Sequence, residues 1–318
     1  MTYSRIVGTG RYLPERVMTN FDLEKIVDTT DEWIRTRTGV ERRHVVTPEQ
    51  TTSDMCVESA TAAMDDAGIK PTDIDMVITG TTSPDVVFPN VSTIIQHRLG
   101  IPACTAFSLE AACTGFIYAL TVADKFIKAG EAKCVLVNGA ECITKLIDWS
   151  DRNTCVLFGD GAGSAIVVPS EEPGILSCAL GADGQYRELL HYPVGVSNNL
   201  AAAGTDDANI IMQGNEVFKV AVKTLGRIAQ EALDKAGVTK EELDWLVPHQ
   251  ANIRIINATA KKLKMSTDHV VVTVNKHGNT SAASVPLALD TAVRDGRIKR
   301  GDTLLLEAFG GGFTWGSA

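Results

Sequence analysis

The chain has 318 residues, 44% hydrophobic but only 6% aromatic, which is enough for a large aliphatic core spread over two average-sized units. Its net charge of −9 excludes general nucleic-acid binding, which needs a basic footprint to neutralise phosphates. No apolar run approaches the ~18–20 residues of a membrane span, the N-terminus lacks a basic-then-apolar leader, and seven scattered cysteines without C-x-x-C spacing exclude a disulfide framework or structural zinc, so a reduced, cytoplasmic setting is expected.

Strand-like and helix-like runs alternate along the chain. Ser53 to Ala67 has helical periodicity and stops at Gly68, and the apolar run Met76-Val77-Ile78 follows. Glu110-Ala111-Ala112-Cys113-Thr114-Gly115-Phe116 opens a second helix-like run that ends at Gly130. Val135-Leu136-Val137 and Ala165-Ile166-Val167-Val168 are strand candidates. A polar break from Pro169 to Gly174 divides the chain into residues 1–172 and 173–318. The pattern then returns, with a helix-like run from Val217 to Ala236, a stop at Gly237, and strand candidates at Trp245-Leu246-Val247, Val270-Val271-Val272 and Leu304-Leu305-Leu306. Such alternation predicts a layered α/β fold with largely parallel, buried strands.

The halves are copies. Ala67 to Ile78 aligns with Ala236 to Val247, and Cys113 and Asn279 stand equally far before the turn glycines Gly130 and Gly296, which aligns a thiol with a carboxamide. The first half carries an insertion of roughly Glu141 to Thr154 between its last strands. Gly163-Ser164-Ala165 runs on into Ile166-Val167-Val168, so by symmetry the strand at Gly316-Ser317-Ala318 is expected to continue past Ala318.

Cys113 lies among small residues at the start of a helix-like run, where the helix dipole lowers a thiol pKa toward thiolate. It is the candidate nucleophile, and the other cysteines read as core filler. His249 follows the repeated strand, at the end where open α/β sheets bind ligands; the remaining histidines read as structural or exposed. Asn279, alone a helix cap, becomes by its alignment with Cys113 a neutral donor for a carbonyl. Phe309-Gly310-Gly311-Gly312-Phe313 is either a flexible turn or a backbone N–H source for an oxyanion. Phe158-Gly159-Asp160-Gly161-Ala162-Gly163 precedes a strand rather than a helix, so it reads as tight packing and not a nucleotide loop. Arg254, Lys261, Lys262 and Lys264 form either a solvated helix face or a dock for an acidic partner.

Four segments, Ala111-Ala112-Cys113-Thr114-Gly115-Phe116, Val247-Pro248-His249-Gln250-Ala251-Asn252, His277-Gly278-Asn279-Thr280-Ser281-Ala282-Ala283 and Glu307-Ala308-Phe309-Gly310-Gly311-Gly312-Phe313-Thr314-Trp315-Gly316, resemble the β-ketoacyl-acyl-carrier-protein synthase III family in order and spacing. The likeness runs from Gly8 to Ala318. It implies a thiolase-like α/β fold of two pseudo-symmetric halves in five layers, α-β-α-β-α, and a homodimer. It implies condensation of an acyl-CoA, expected to be acetyl-CoA, with malonyl-acyl carrier protein at the start of type II fatty-acid synthesis. Cys113 would be acylated, with the N–H groups of Cys113 and Gly311 holding the oxyanion, while His249 and Asn279 hold the malonyl carbonyl. Trp33 and Arg152, with Arg37 nearby, would grip the adenine end of CoA, and Gly214, Phe218 and Asn252 would line its pantetheine tunnel. Gln250, Ala251, Asn252, Ile253 and Arg254 would meet the carrier protein, and Phe88 would close the partner subunit's acyl pocket around a short starter. No metal, redox cofactor, nucleic acid or membrane partner is implied.

Two other readings keep the same residues. One is a condensing or acyl-transferring enzyme of secondary metabolism with another starter. The other is a Cys-His-Asn hydrolase, in which the histidine activates the thiol. Asn279 argues against elongating synthases, which use two histidines, and the lack of a cysteine after Cys178 argues against thiolases.

Overall fold

The computed structural model describes residues 3–205 and 208–318 and contains two central sheets of matching order. The first holds β1 (Tyr3–Tyr12), β2 (Met76–Gly80), β3 (Thr105–Leu109), β4 (Val135–Glu141) and β5 (Gly161–Ser170), arranged β1-β5-β4-β2-β3. The second holds β6 (Ala179–Ala182), β7 (Trp245–Pro248), β8 (Leu304–Gly310) and β9 (Thr314–Ser317), arranged β6-β9-β8-β7. Parallel pairing is confined to β4-β2-β3 and β7-β8; β1, β5, β6 and β9 pair antiparallel. The expectation of largely parallel strands is therefore corrected at β1, β5, β6 and β9, which make up one side of each sheet.

After a short helix α1 (Asp31–Thr38), α2 (Thr52–Ala67) and α3 (Val91–Arg98) cover the outer face of the first sheet. Helices α4 (Gly115–Ala129) and α7 (Ser284–Arg294) fill the space between the sheets, while α5 (Gly214–Ala236) and α6 (Ile253–Leu263) cover the outer face of the second. These are the five layers of a thiolase-like fold. The inner layer is built from aliphatic and small side chains such as Ile117, Leu120, Ala123, Val285, Ala288 and Leu289, all buried. Among the described residues no helix is long and apolar enough to cross a membrane.

The repeated motif has one physical job in both halves. Helices α2 and α5 end on Gly68 and Gly237, at φ +66° and +68°, a left-handed conformation that glycine adopts without a Cβ clash. A 3₁₀ turn follows, closed when Asp73 accepts the Lys70 N–H at 2.9 Å and Glu242 accepts the Thr239 N–H at 2.8 Å. Asp75 then accepts the Lys133 and Cys134 N–H groups, and Asp244 the Thr303 N–H, which pins each motif to the chain entering the neighbouring strand.

Three expectations meet different outcomes. The insertion lies in the connection from β4 to β5, residues 142–160, where β8 and β9 are joined by residues 311–313. Val270-Val271-Val272 is not a strand; it makes one bridge, Leu246 to Val270. The Gln250 carboxamide intercepts its ladder, donating to Val271 O at 3.0 Å and accepting the Thr273 and Val274 N–H groups at 2.8 and 3.0 Å. The last strand pairs through Ala318, which exchanges two hydrogen bonds with Leu306. A cavity of about 530 Å³ lies alongside Leu304, Leu305 and Ala318.

The sheets communicate through glycines. A Cβ on Gly139 in β4 would collide with the Ala282 carbonyl oxygen and stand 2.9 Å from the Phe116 Cβ. Gly139→Ala is expected to lower unfolding free energy by about 1–3 kcal/mol, the usual penalty for overpacking, read as a drop in the urea midpoint at unchanged slope.

Candidate active site

Cys113 sits in a 3₁₀ turn, Ala112–Thr114, that runs directly into α4. Ala112 is held at φ +46°, and its N–H donates to the Glu110 carboxylate at 2.8 Å. The second half builds the same elbow: Ser281–Ala283 forms a 3₁₀ turn, Ser281 has φ +48°, and its N–H donates to Asn279 Oδ1 at 3.0 Å. The counterpart of Cys113 is therefore Ala282, and that of Asn279 is Glu110. Equal spacing to Gly130 and Gly296 misaligned them because α7 has 11 residues and α4 has 15.

The two elbows pack back to back. A Cβ on Gly115 would stand 3.2 Å from the Ala282 Cβ, and one on Gly310 would stand 2.6 Å from the Cys113 nitrogen, so the end of β8 lies against Cys113. Thr114 and Thr314 share a hydroxyl contact of 2.6 Å, and Thr314 Oγ1 donates to Ala111 O at 2.9 Å. These bonds hold the Gly311-Gly312-Phe313 turn beside the elbow, with Gly311 next to Ala112.

His249 follows β7, where its N–H donates to Glu307 O at 2.7 Å. Its Nδ1 lies 2.6 Å from the Ser284 hydroxyl in the first turn of α7, five positions beyond Asn279. Asn279 is clamped by backbone exchange with the β4–β5 connection: its N–H donates to Leu157 O at 2.8 Å, and its O accepts the Gly159 N–H at 3.0 Å. The Gly159 turn thus packs tightly, as the sequence suggested, and in doing so fixes the Asn279 backbone.

Burial governs the electrostatics. Cys113, His249 and Asn279 are 7%, 5% and 6% exposed. Burial lowers the His249 pKa to about 3, so the imidazole is neutral. The same effect pushes the Cys113 thiol up to about 12, with Glu141 and Glu110 adding to the rise. A hydrogen bond from Ser281 and the backbone N–H of Cys113 act in the opposite direction. The expectation of a lowered thiol pKa is corrected here, because desolvation outweighs the position at a helix start.

The other expected residues form two groups. Arg152 from the β4–β5 connection lies over the Trp33 ring of α1, 4.9 Å from its centroid, with Arg37 at 6.0 Å. Arg254 of α6 covers the Phe218 ring of α5 at 5.2 Å, near the start of α5 at Gly214. Asn252 caps α6 through its Oδ1, which accepts the Ile255 N–H at 3.0 Å. Ala251 and Ile253 are half-buried and Arg254 is exposed. Gln250 is corrected: it is 1% exposed and its amide is committed to Pro248, Val271, Thr273 and Val274, so it offers nothing to a partner surface. Phe88 lies apart from the elbows, 83% exposed beside Val86 and Val87. Ser281, Ser284 and Glu141 were missed. The first two stand inside or beside a quoted motif and could have been found from their hydroxyls; Glu141, at a strand end, carried no signal.

Family models described as 3-oxoacyl-[acyl-carrier-protein (ACP)] synthase III and its C-terminal part match residues 107–184 and 233–318. The β-ketoacyl-[acyl-carrier-protein] synthase III of Thioalkalivibrio sulfidiphilus is 60% identical over 100% of this chain and 99% of that protein. The crystal structure of the Aquifex aeolicus synthase III superposes with a TM-score of 0.93 at 48% identity, covering 99% of this chain and 98% of the other. The priming β-ketosynthase of the R1128 polyketide pathway superposes at 0.94 with 39% identity, covering 99% and 95%. The chain belongs to the β-ketoacyl-[acyl-carrier-protein] synthase III family.

Proposed function

We propose that this protein condenses an acyl-CoA, preferably acetyl-CoA, with malonyl-acyl carrier protein, yielding 3-ketoacyl-acyl carrier protein, CoA and carbon dioxide. This is the initiating step of type II fatty-acid synthesis. The observation that carries the reading is a buried helix-start thiol, a buried neutral imidazole and a backbone-clamped carboxamide around two elbows packed back to back, in a chain 60% identical to one named synthase. A secondary-metabolism role is less favoured, since the polyketide priming enzyme is 39% identical. A Cys-His-Asn hydrolase needs its imidazole paired with the thiol, whereas here the His249 Nδ1 is paired with the Ser284 hydroxyl at 2.6 Å.

In the first half-reaction the Cys113 sulfur attacks the thioester carbonyl. The N–H groups of Cys113 and Gly311 stabilise the oxyanion, and CoA leaves carrying the thiol proton. In the second, the malonyl thioester carbonyl lies between His249 and Asn279. With Ser284 donating to Nδ1, the neutral imidazole bears its hydrogen on Nε2 and donates it. Asn279 Oδ1 is committed to Ser281, which turns the Nδ2 donor away from the elbow. Carbon dioxide departs, the two donors stabilise the enolate, and its carbon attacks the acyl-cysteine, releasing the sulfur. No metal or redox cofactor is required by this chemistry.

Trp33, Arg37 and Arg152 supply an aromatic face and two guanidinium groups for the adenine and phosphates of CoA. Gly214, Phe218 and Asn252 border the pantetheine path. Arg254, with Ala251, Asn252 and Ile253, offers a cationic surface to an acidic carrier protein. The exposed Val86-Val87-Phe88 loop and the edge strand β3 suit a homodimer in which Phe88 closes the partner's acyl pocket. Seven unpaired cysteines fit the cytoplasm.

Mass spectrometry after incubation with labelled acetyl-CoA separates the half-reactions. Cys113→Ser is expected to lose covalent label while retaining malonyl decarboxylation within about tenfold; His249→Ala and Asn279→Ala should keep the label and lose about 10²–10³ in decarboxylation, the range for one oxyanion donor. Label on Cys113→Ser refutes the nucleophile. Because burial holds His249 near 3, below its ordinary 6.5, decarboxylation by Cys113→Ser should show no histidine limb between about pH 5.5 and 8; an inflection near 6.5 contradicts the neutral donor. Arg254→Glu should raise KM for malonyl-acyl carrier protein about tenfold at low salt and much less at high salt, with acetyl-CoA labelling unchanged.

A further inference from the structure

Arg43 lies in a short antiparallel ribbon, Val17–Thr19 paired with Arg42–His44, that takes no part in the chemistry above. The residue is completely buried, yet its acceptors are all neutral. Nη1 donates to Asn20 Oδ1 at 2.9 Å and to Met18 O at 3.4 Å, and Nη2 donates to Val156 O at 2.8 Å. A buried guanidinium without a counter-charge is costly, and an apolar side chain of similar volume would fill the space at lower cost. Stability therefore does not account for this residue, and what it grips does.

The grip is on the β4–β5 connection where it meets Asn279. Val156 immediately precedes Leu157, whose carbonyl accepts the Asn279 N–H at 2.8 Å, and Gly159 donates its N–H to Asn279 O at 3.0 Å. The stem of Arg43 reaches the same place: a Cβ on Gly159 would stand 2.9 Å from the Arg43 Cβ, and one on Gly278 would stand 3.1 Å from it. The ribbon backbone holds both segments as well, since Glu41 N–H donates to Asn275 O at 2.9 Å and His44 O accepts the Asp160 N–H at 2.8 Å. Behind the guanidinium, Asn20 is fixed by donating to Asp31 Oδ1 and Val40 O, each at 2.8 Å.

We infer that Arg43 is a positioning residue for Asn279: its planar fork, braced by Asn20, sets where Val156 lies, and through Leu157 and Gly159 it sets where the Asn279 backbone is held. The Ser281 N–H orients Oδ1 within the elbow, and the connection fixes the residue from outside it. The inference rests on the condensation reading only for what Asn279 then does.

Two measurements test it. The first is malonyl decarboxylation by Cys113→Ser. Adding Arg43→Met, which keeps the stem and removes the fork, is expected to lower kcat about tenfold with KM within about twofold, because a donor displaced by about 1 Å can cost up to ~10²-fold. Labelling of Cys113 by saturating acetyl-CoA, which does not use Asn279, should stay within about twofold in Arg43→Met. In the Asn279→Ala background the further loss should shrink below about twofold. Equal losses in the two half-reactions, or an undiminished loss beside Asn279→Ala, overturn the positioning. The second is amide hydrogen exchange of the free, full-length protein, which is independent of the reaction. Arg43→Met should speed exchange at Gly159 and Asn279 about tenfold and leave Leu306 and Ala318 unchanged; unchanged exchange at Gly159 and Asn279 overturns the inference. If Cys113→Ser decarboxylates nothing, the condensation reading fails and exchange alone decides the role of Arg43. Should Arg43→Met not fold, Arg43→Lys, whose single ammonium replaces the fork that spans Asn20 and Val156, carries the same comparisons with a loss of about threefold.

Discussion

The whole arrangement depends on two elbows approaching back to back between the sheets. The approach is possible only where side chains stop at Cβ or lack it. Gly80 meets the backbone of Gly115, Gly139 meets the Ala282 carbonyl, and Gly310 meets Cys113 itself. Larger residues at these positions would drive the sheets apart and, with them, the groups each half contributes. Specific aliphatic packing around α4 and α7 supplies the cohesion, and the glycines set the distance.

Duplication explains why groups from distant parts of the chain meet. Each half offers a strand end and an elbow, and the fold brings them together around one pseudo-symmetric centre. The halves use the same backbone device for different purposes. Glu110 and Asn279 each hold an elbow by accepting the N–H two residues on, yet one residue is exposed while the other is buried. The β4–β5 connection then adds what symmetry does not: Leu157 and Gly159 clamp Asn279, and Arg152 reaches Trp33.

Much of this was legible in the residues. Helix stops at Gly68 and Gly237, and the apolar runs around Val135 and Leu304, follow from local periodicity and turn chemistry. The nucleophile, imidazole and carboxamide stood in motifs whose order is informative. What was not legible depends on tertiary contacts. Val270-Val271-Val272 has every local mark of a strand, but a single carboxamide at Gln250 captures its backbone groups. The same burial separates Gln250 from its more exposed neighbours Ala251 to Arg254. The alignment of Cys113 with Asn279 reached a useful conclusion through a wrong register, because counting to a turn glycine assumes helices of equal length.

Burial serves the two half-reactions in opposite ways. For His249 it excludes the charged form and leaves a neutral donor, the form that suits an enolate site. For Cys113 it disfavours the thiolate that the proposed first half-reaction needs. A single dry pocket can host both only if the sulfur receives local help that the imidazole does not need. The start of α4 and the Cys113 N–H supply part of it, and their contribution is fixed by the fold. Ser281, on the facing elbow, donates its hydroxyl to the buried Glu141 carboxylate, which is held by five donors from both halves. A buried carboxylate is costly, and the hydrogen bonds from Thr81, Thr82, Ser83 and Ser281 offset that cost at the seam between the halves.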